Sequence, residues 1–279
     1  MAAGISAQAA QCGGPLVSCL MVTQANSNRL PFLRRSLAAY CAQTHHNREL
    51  VIVFDVGTVE ARADIVRAVG ELGRDDIHIV DPDGPLTLGA LRNISWQAAR
   101  GEIICQWDDD DLYHPQRLER QLAALMESGS LSSCLQEVMQ FFPASRRLYQ
   151  TNWRASPPTV KPASLISFKS AQVCYPESGP QARIGEDSAV LFQLQRLGRF
   201  HAQAGAPHLY VYVSHGHNTS GDSHHQMLAD RLAVSQGLLL RREAALREGL
   251  APFDFGPGDV MVEGYNGPAF KIAGRHYSN

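Results

Sequence analysis

Ile103-Ile104-Cys105-Gln106-Trp107 runs directly into Asp108-Asp109-Asp110-Asp111, and this junction decides the fold. The apolar stretch has strand length and no polar alternation, so both of its faces must be covered, as in a parallel sheet. The acids then end the strand. Pro115 follows as a candidate first helical residue, and Leu118, Leu122 and Leu125 recur at helical spacing behind it. Four adjacent carboxylates repel one another and are costly unless solvated or neutralised. A helix N-cap and its dipole would account for one or two of them. Four at the end of a buried strand suit a hard divalent cation that completes its shell with phosphate oxygens.

The same grammar extends upstream. Continuous apolar runs at 16–22, 50–54 and 77–80 read as buried strands, and 102–107 as the fourth. Between them, periodic apolar positions predict helices over 30–43, 61–72 and 88–99. Strand and helix alternating through short punctuated loops predict βαβ units, a parallel sheet and right-handed crossovers. Ligands of such sheets gather beyond the carboxyl ends of the strands. Asp55 closes the second strand at the same edge as the acid run, which is the first functional clue.

Past residue 130 the pattern changes. Segments 136–142, 147–153, 164–168 and 208–213 read as strands of a mixed addition broken at Pro157-Pro158, with helices over 186–197 and 223–247. The expected organisation is a lead-in without structure at 1–14, one half at 15–130, a second half at 131–250, and a tail at 251–279. Glycines, prolines and the aromatics Phe253, Phe255, Tyr265 and Phe270 in that tail suit a lid.

Composition narrows the class. Hydrophobic residues at 44% and charged residues at 19% exclude wholesale disorder and a coiled coil. A net charge of −2 gives no general attraction to nucleic acid, and no apolar run has the length of a membrane span. No export signal is visible at the start, so a cytoplasmic protein is expected, with peripheral attachment at the inner membrane face left open. The six cysteines form no Cys-x-x-Cys pair and read as reduced thiols. Four of the eleven histidines crowd into 215–225, where His215, His217, His224 and His225 could also be read as a zinc site.

Val22-Thr23-Gln24-Ala25-Asn26-Ser27-Asn28-Arg29, Gln43-Thr44, Val53-Phe54-Asp55-Val56-Gly57-Thr58, Leu91-Arg92-Asn93, Trp107-Asp108-Asp109-Asp110-Asp111, Gly185-Glu186-Asp187 and His215-Gly216-His217-Asn218-Thr219-Ser220 occur in that order. Over roughly residues 16–225 this chain resembles family 2 glycosyltransferases of the GT-A fold. The resemblance implies a mostly parallel, Rossmann-like α/β sheet flanked by helices in one domain, with a mixed C-terminal subregion for the acceptor. It implies an inverting enzyme that moves a sugar from a nucleotide diphosphate, a UDP-sugar being favoured, to an acceptor hydroxyl with Mn²⁺ or Mg²⁺.

Position by position, Asp108 and Asp110 match the Asp-x-Asp pair for metal and ribose–diphosphate, with Asp109 between them at the nucleotide, and Asp111 matches an acid that often follows. Asp55 matches the nucleobase acid, Thr23 the base pocket and Arg92 an arginine near the nucleotide. Asp187 matches the general base, and His215 the late histidine at the metal or diphosphate. The chain departs from the family in having Asp55-Val56-Gly57-Thr58 where Asp-Asp-Gly-Ser is usual, and in lacking a tyrosine near position 25.

Read without the resemblance, Arg92 could be a surface helix residue and Asp187 a dipole-favoured helix start. Glu186 competes for the role of base, because neighbouring helical side chains point about 100° apart. Two other functions remain open from the residues: a metal-dependent nucleotidyltransferase or phosphohydrolase, and a non-catalytic nucleotide-sugar-binding module. The acceptor, whether glycan, lipid, protein or small molecule, is not encoded in any motif.

Overall fold

The computed structural model describes residues 14–169, 173–216, 218 and 221–274. Most of the expected lead-in at 1–14, together with His217, Thr219 and Ser220, lies outside the described residues. Among the described residues the chain builds two sheets. The first has seven strands in the order β10-β6-β9-β4-β1-β2-β3, and the second six in the order β13-β12-β8-β7-β11-β5.

The first half is βα-alternating. β1 (Val17–Ala25), β2 (Arg48–Gly57), β3 (Ile77–Val80) and β4 (Ile103–Gln106) are mutually parallel, with β1 between β2 and β4. Helices α1 (Leu30–Cys41), α2 (Val59–Gly70), α3 (Leu88–Ala98) and α4 (Arg117–Ser128) link and follow them. Thr58 and Thr87 cap α2 and α3 by accepting from Ala61 N at 3.1 Å and Ala90 N at 3.3 Å. Pro115 lies one residue outside the cap of α4, which is Gln116, so it precedes the helix instead of opening it. Apolar residues cover both faces of the sheet, with Met21, Ile52 and Cys105 in one core and Leu20, Val53 and Ile104 in another. That double burial is the reason these strands read as unbroken apolar runs.

The second half is mixed. β6 (Ser132–Leu135), β9 (Ile166–Phe168) and β10 (Phe200–Gln203) extend the first sheet, β9 running antiparallel to both β4 and β6. β5 (Leu112–Tyr113), β7 (Glu137–Phe142), β8 (Arg147–Asn152) and β11 (Tyr210–Val213) form most of the second sheet. α5 (Glu186–Arg196) matches expectation closely.

The long helix expected at 223–247 is instead three: α6 (Asp222–Leu232), α7 (Gln236–Arg241) and α8 (Glu243–Leu250). The first break has a physical cause. Ala233 bridges to Thr151, Val234 N donates to Gln150 O at 2.9 Å, and Ser235 starts α7 by accepting from Leu238 N.

The tail also differs from the lid expected of it. β12 (Val260–Gly264) and β13 (Gly267–Ile272) form a hairpin, and β12 pairs parallel with β8. Val260 and Val262 are fully buried, and Phe253, Phe255 and Phe270 are 7–8% exposed. The hairpin ends the second sheet opposite β5, the strand that follows the acid run. Alternating burial along β12 ties it to the core in this structure.

Candidate active site

β4 ends at Gln106, and the four acids turn from there into β5. The turn holds each carboxylate in a different environment. Asp109 is 1% exposed and faces inward. It accepts from the Thr23 hydroxyl at 2.5 Å and from Arg29 through both Nε and Nη2. Burial first, and then the neighbouring Asp110, push its carboxyl up to about 6 against the pull of Arg29 and Thr23.

Thr23 is itself 1% exposed with its hydroxyl committed to Asp109. The two brace the acid turn from beneath, whereas the sequence reading expected Thr23 in a base pocket and Asp109 at the nucleotide.

Asp110 turns the other way. Its Oδ2 meets Arg29 Nη1 at 3.1 Å and His215 Nε2 at 3.0 Å. Burial alone would raise this carboxyl; the hydrogen bond from His215 and the charge of Arg29 outweigh it and hold it below its ordinary value. His215 arrives from the segment after β11 and stacks on Phe32 of α1, ring centroids 4.5 Å apart. Asp111 is an internal support, taken by the Tyr210 hydroxyl and by Val213 N at 2.8 Å. Arg29, Phe32 and Tyr210 carry the site but had no role in the sequence reading. For Arg29, its place just before α1, in the loop that leaves β1 at the ligand edge, is the signal that could have found it.

Asp108, half-buried, faces Arg92 of α3, whose Nη1 and Nη2 both lie 3.2 Å from Oδ1. The same guanidinium donates through Nε to Glu186 Oε1 at 3.0 Å. Arg92 is 9% exposed, so it is a bridge between carboxylates and not a surface residue. Helix α3 can press this close because Gly89 has no side chain; a Cβ there would collide with the Pro176 carbonyl.

Glu186 and Asp187 form the first turn of α5 behind Gly185, whose φ of +83° favours glycine. Glu186 is 4% exposed, and burial raises its carboxyl despite Arg92. Asp187 is half-buried, and its Oδ1 accepts from Ser188 N at 2.6 Å. Of the two, Glu186 is committed to Arg92, and Asp187 keeps a carboxylate oxygen for other work. Asp55 stands at the end of β2, two strands from the acid run, accepting from Val56 N at 2.7 Å.

As a metal site the arrangement is sparse. Among the described residues no group of three or more His, Cys, Asp or Glu closes around one point. The Asp110 oxygen and the His215 nitrogen meet, while Asp108 is engaged by Arg92. One carboxylate and one imidazole fit a divalent ion that draws its remaining ligands from a diphosphate. Among the described histidines of this stretch, His225 Nε2 lies 3.3 Å from the Tyr212 hydroxyl and its ring meets that of His224 edge-on, centroids 5.7 Å apart. A cleft of about 480 Å³ opens beside His215, bordered by Phe142, Ser145, Ser214 and Gln226.

The model of the family described as Glycosyl transferase family 2 matches residues 25–172. An uncharacterized glycosyltransferase of Nostoc sp. is 33% identical over 101 residues, 36% of this chain and 31% of that protein. The chain spans about a third of the length of the curated relatives it matches.

Among solved structures, Staphylococcus aureus TarS 1–349 in complex with UDP superposes with a TM-score of 0.56 at 15% identity, over 72% of this chain and 60% of that one. The mannosyltransferase PcManGT of Pyrobaculum calidifontis, in complex with GDP-Man and Mn²⁺, gives 0.54 at 15% identity, over 85% and 64%. At such identities the likeness is one of fold, and the folds are those of GT-A glycosyltransferases. With the family model spanning more than half of its residues, the chain belongs to glycosyl transferase family 2.

Proposed function

We propose that the protein is an inverting glycosyltransferase that moves a sugar from a nucleotide diphosphate, a UDP-sugar foremost, to an acceptor hydroxyl. The observation that carries this reading is the division of labour between adjacent acids: Glu186 is held by Arg92, while Asp187 in the same helical turn is half-buried and bonded to Ser188 through one oxygen. In the transfer, the acceptor oxygen bonds to the anomeric carbon as the bond to the diphosphate oxygen breaks. The acceptor proton goes to Asp187, and the nucleoside diphosphate departs. A single base opposite the leaving group makes the displacement direct and inverts the anomeric centre.

Asp110 and His215 would hold the divalent ion, whose chemistry is that of a Lewis acid on the leaving diphosphate. The imidazole in that pair favours Mn²⁺ over Mg²⁺. Arg29 supplies charge to the acid turn from within the protein, and Asp108 and Asp55 remain on the nucleotide side. Residues 15–130 then form the donor half and 131–250 the acceptor half. UDP and UDP-GlcNAc complexes among the structural neighbours are compatible with a UDP-sugar, and a GDP-Man complex keeps the guanine alternative in the test.

That test is a thermal-shift screen of UDP- and GDP-sugars with and without Mn²⁺, since a ligand that binds the native state raises its apparent stability. NMR of the sugar released by slow donor hydrolysis then reads the stereochemistry. A metal-dependent shift with one donor, and a first-formed anomer opposite to that of the donor, support the reading. Retention of configuration, or release of sugar phosphate, overturns it.

A further inference from the structure

Lys161 is a cation near the acid turn that the proposed mechanism does not use. It lies between the loop of Pro157-Pro158 and the turn that leads into β9. Its Nζ sits 3.6 Å from the centre of the Tyr212 ring and 5.2 Å from that of Trp153. Tyr212 immediately precedes Val213, which holds Asp111, and α5 is tied to the Lys161 loop by Gln195 Nε2 donating to Pro158 O at 2.9 Å. The ammonium therefore lies against β11 next to the residue that holds Asp111, and its loop packs on the C-terminal end of the helix that Asp187 opens.

The surrounding carboxylates are otherwise provided for. Asp108 and Glu186 share Arg92, and Asp109 and Asp110 share Arg29. Asp111 takes the Tyr210 hydroxyl and Val213 N. Asp187 takes only the backbone N–H and hydroxyl of Ser188. Lys161 Nζ forms an ion pair with none of these carboxylates. Desolvation of an ammonium is expensive, and two aromatic faces recover only part of that cost. Burial lowers its affinity for the proton, opposed first by Asp111 of the acid turn, then by Asp187, and less by Asp108 and Asp110, so both the acid turn and the proposed base act on it.

We propose that Lys161 binds an anionic group of the acceptor, so that the substrate receiving the sugar carries a phosphate or a carboxylate near the hydroxyl that Asp187 deprotonates. An ammonium has three donors and no acceptor, which matches an anion better than a neutral hydroxyl cluster. The donor diphosphate is the competing ligand, but Arg29, His215 and Asp110 already gather at its side of the turn. The inference rests on the glycosyltransferase reading.

The experiment is calorimetric titration of enzyme saturated with UDP and Mn²⁺, using three small probes: glycerol 3-phosphate, glycerate and glycerol. UDP affinity is measured first, separately for wild type, Lys161→Met and Lys161→Arg. The expected result is saturable binding of glycerol 3-phosphate or glycerate, with no binding of glycerol. Lys161→Met weakens it at least about tenfold, the scale of one hydrogen bond to a charged group. Lys161→Arg retains it, and UDP affinity stays within about twofold in all three proteins.

The phosphate and carboxylate arms decide which anion is preferred. Glycerol binding as well as its anionic counterparts, no saturable binding of either anion, or undiminished binding by Lys161→Met would overturn the proposal. A fall in UDP affinity matching the fall in probe affinity would assign Lys161 to the donor and overturn it too. Wild-type enzyme that fails to bind UDP with Mn²⁺ would instead refute the donor reading on which the inference depends.

Discussion

Arg92 Nε donates to Glu186 Oε1 at 3.0 Å, joining α3 to the first turn of α5 across 94 residues of sequence. Both side chains are buried, and the guanidinium also holds Asp108. Removing one partner of a buried pair leaves an uncompensated charge, which costs about 3–5 kcal/mol. Arg92→Met should reach that range because it strands two carboxylates. Glu186→Gln keeps a hydrogen-bond acceptor and leaves Asp108 on Arg92, so about 1–3 kcal/mol is expected. Urea unfolding of the two variants checks the order.

Asp187→Asn should separate chemistry from binding. General-base removal costs about 10²–10⁴-fold in rate, and a residue that does not hold the nucleotide leaves UDP affinity where it was. Transfer or donor turnover, measured beside UDP affinity, tests this split. Glu186→Gln should lose much less turnover than Asp187→Asn once both proteins are shown to be folded. The reverse order would make Glu186 the base.

The tail hairpin should behave as sheet. Phe255 packs edge-to-face on Phe141 with centroids 5.1 Å apart and is 8% exposed. Phe255→Ala is expected to destabilise by about 3–5 kcal/mol through the cavity it leaves. Limited proteolysis of the tail should run at the same rate with and without UDP and Mn²⁺. Nucleotide-dependent protection would restore the lid.

These elements also show what a sequence can and cannot disclose. The four βα units were readable because strands covered on both faces are apolar throughout, and helices such as α4 repeat leucine at 118, 122 and 125. β5, β6 and β10 were not: they are two to four residues long, and Ser132-Ser133 or Phe200-His201 carry no strand signature. β12 does alternate in burial, but its partner is remote, as Tyr149 and Glu263 meet across 114 residues. The acid turn announced the site. Which acid faces outward did not follow from sequence, because Thr23, Arg29 and Tyr210 decide it from three separate elements.

His208 sets an acid limit. Its Nε2 meets Arg120 Nη1 at 2.8 Å, and its ring packs edge-on against His114. Burial first, then the charges of His114 and Arg120, push it down to about 4. The folded value lies below the ordinary one of about 6.5, so the unfolded chain binds the proton first. The contribution of His208 is whole above about pH 6.5 and is lost as pH falls toward 4. Wild type should therefore lose its stability advantage over His208→Gln across that window in urea unfolding at pH 7.5, 5.5 and 4.5. An advantage independent of pH would contradict the assignment.

The central claim is that the acid turn holds a nucleoside diphosphate through a divalent ion on Asp110. Calorimetric titration of UDP into wild type and Asp110→Asn, each with Mn²⁺ and with EDTA, tests it most directly. The account predicts tight binding for wild type with Mn²⁺, and at least about a tenfold loss on either adding EDTA or replacing Asp110, with no further loss when both are done. Equal UDP affinity for wild type in Mn²⁺ and EDTA, or undiminished Mn²⁺-dependent binding by Asp110→Asn, would contradict it.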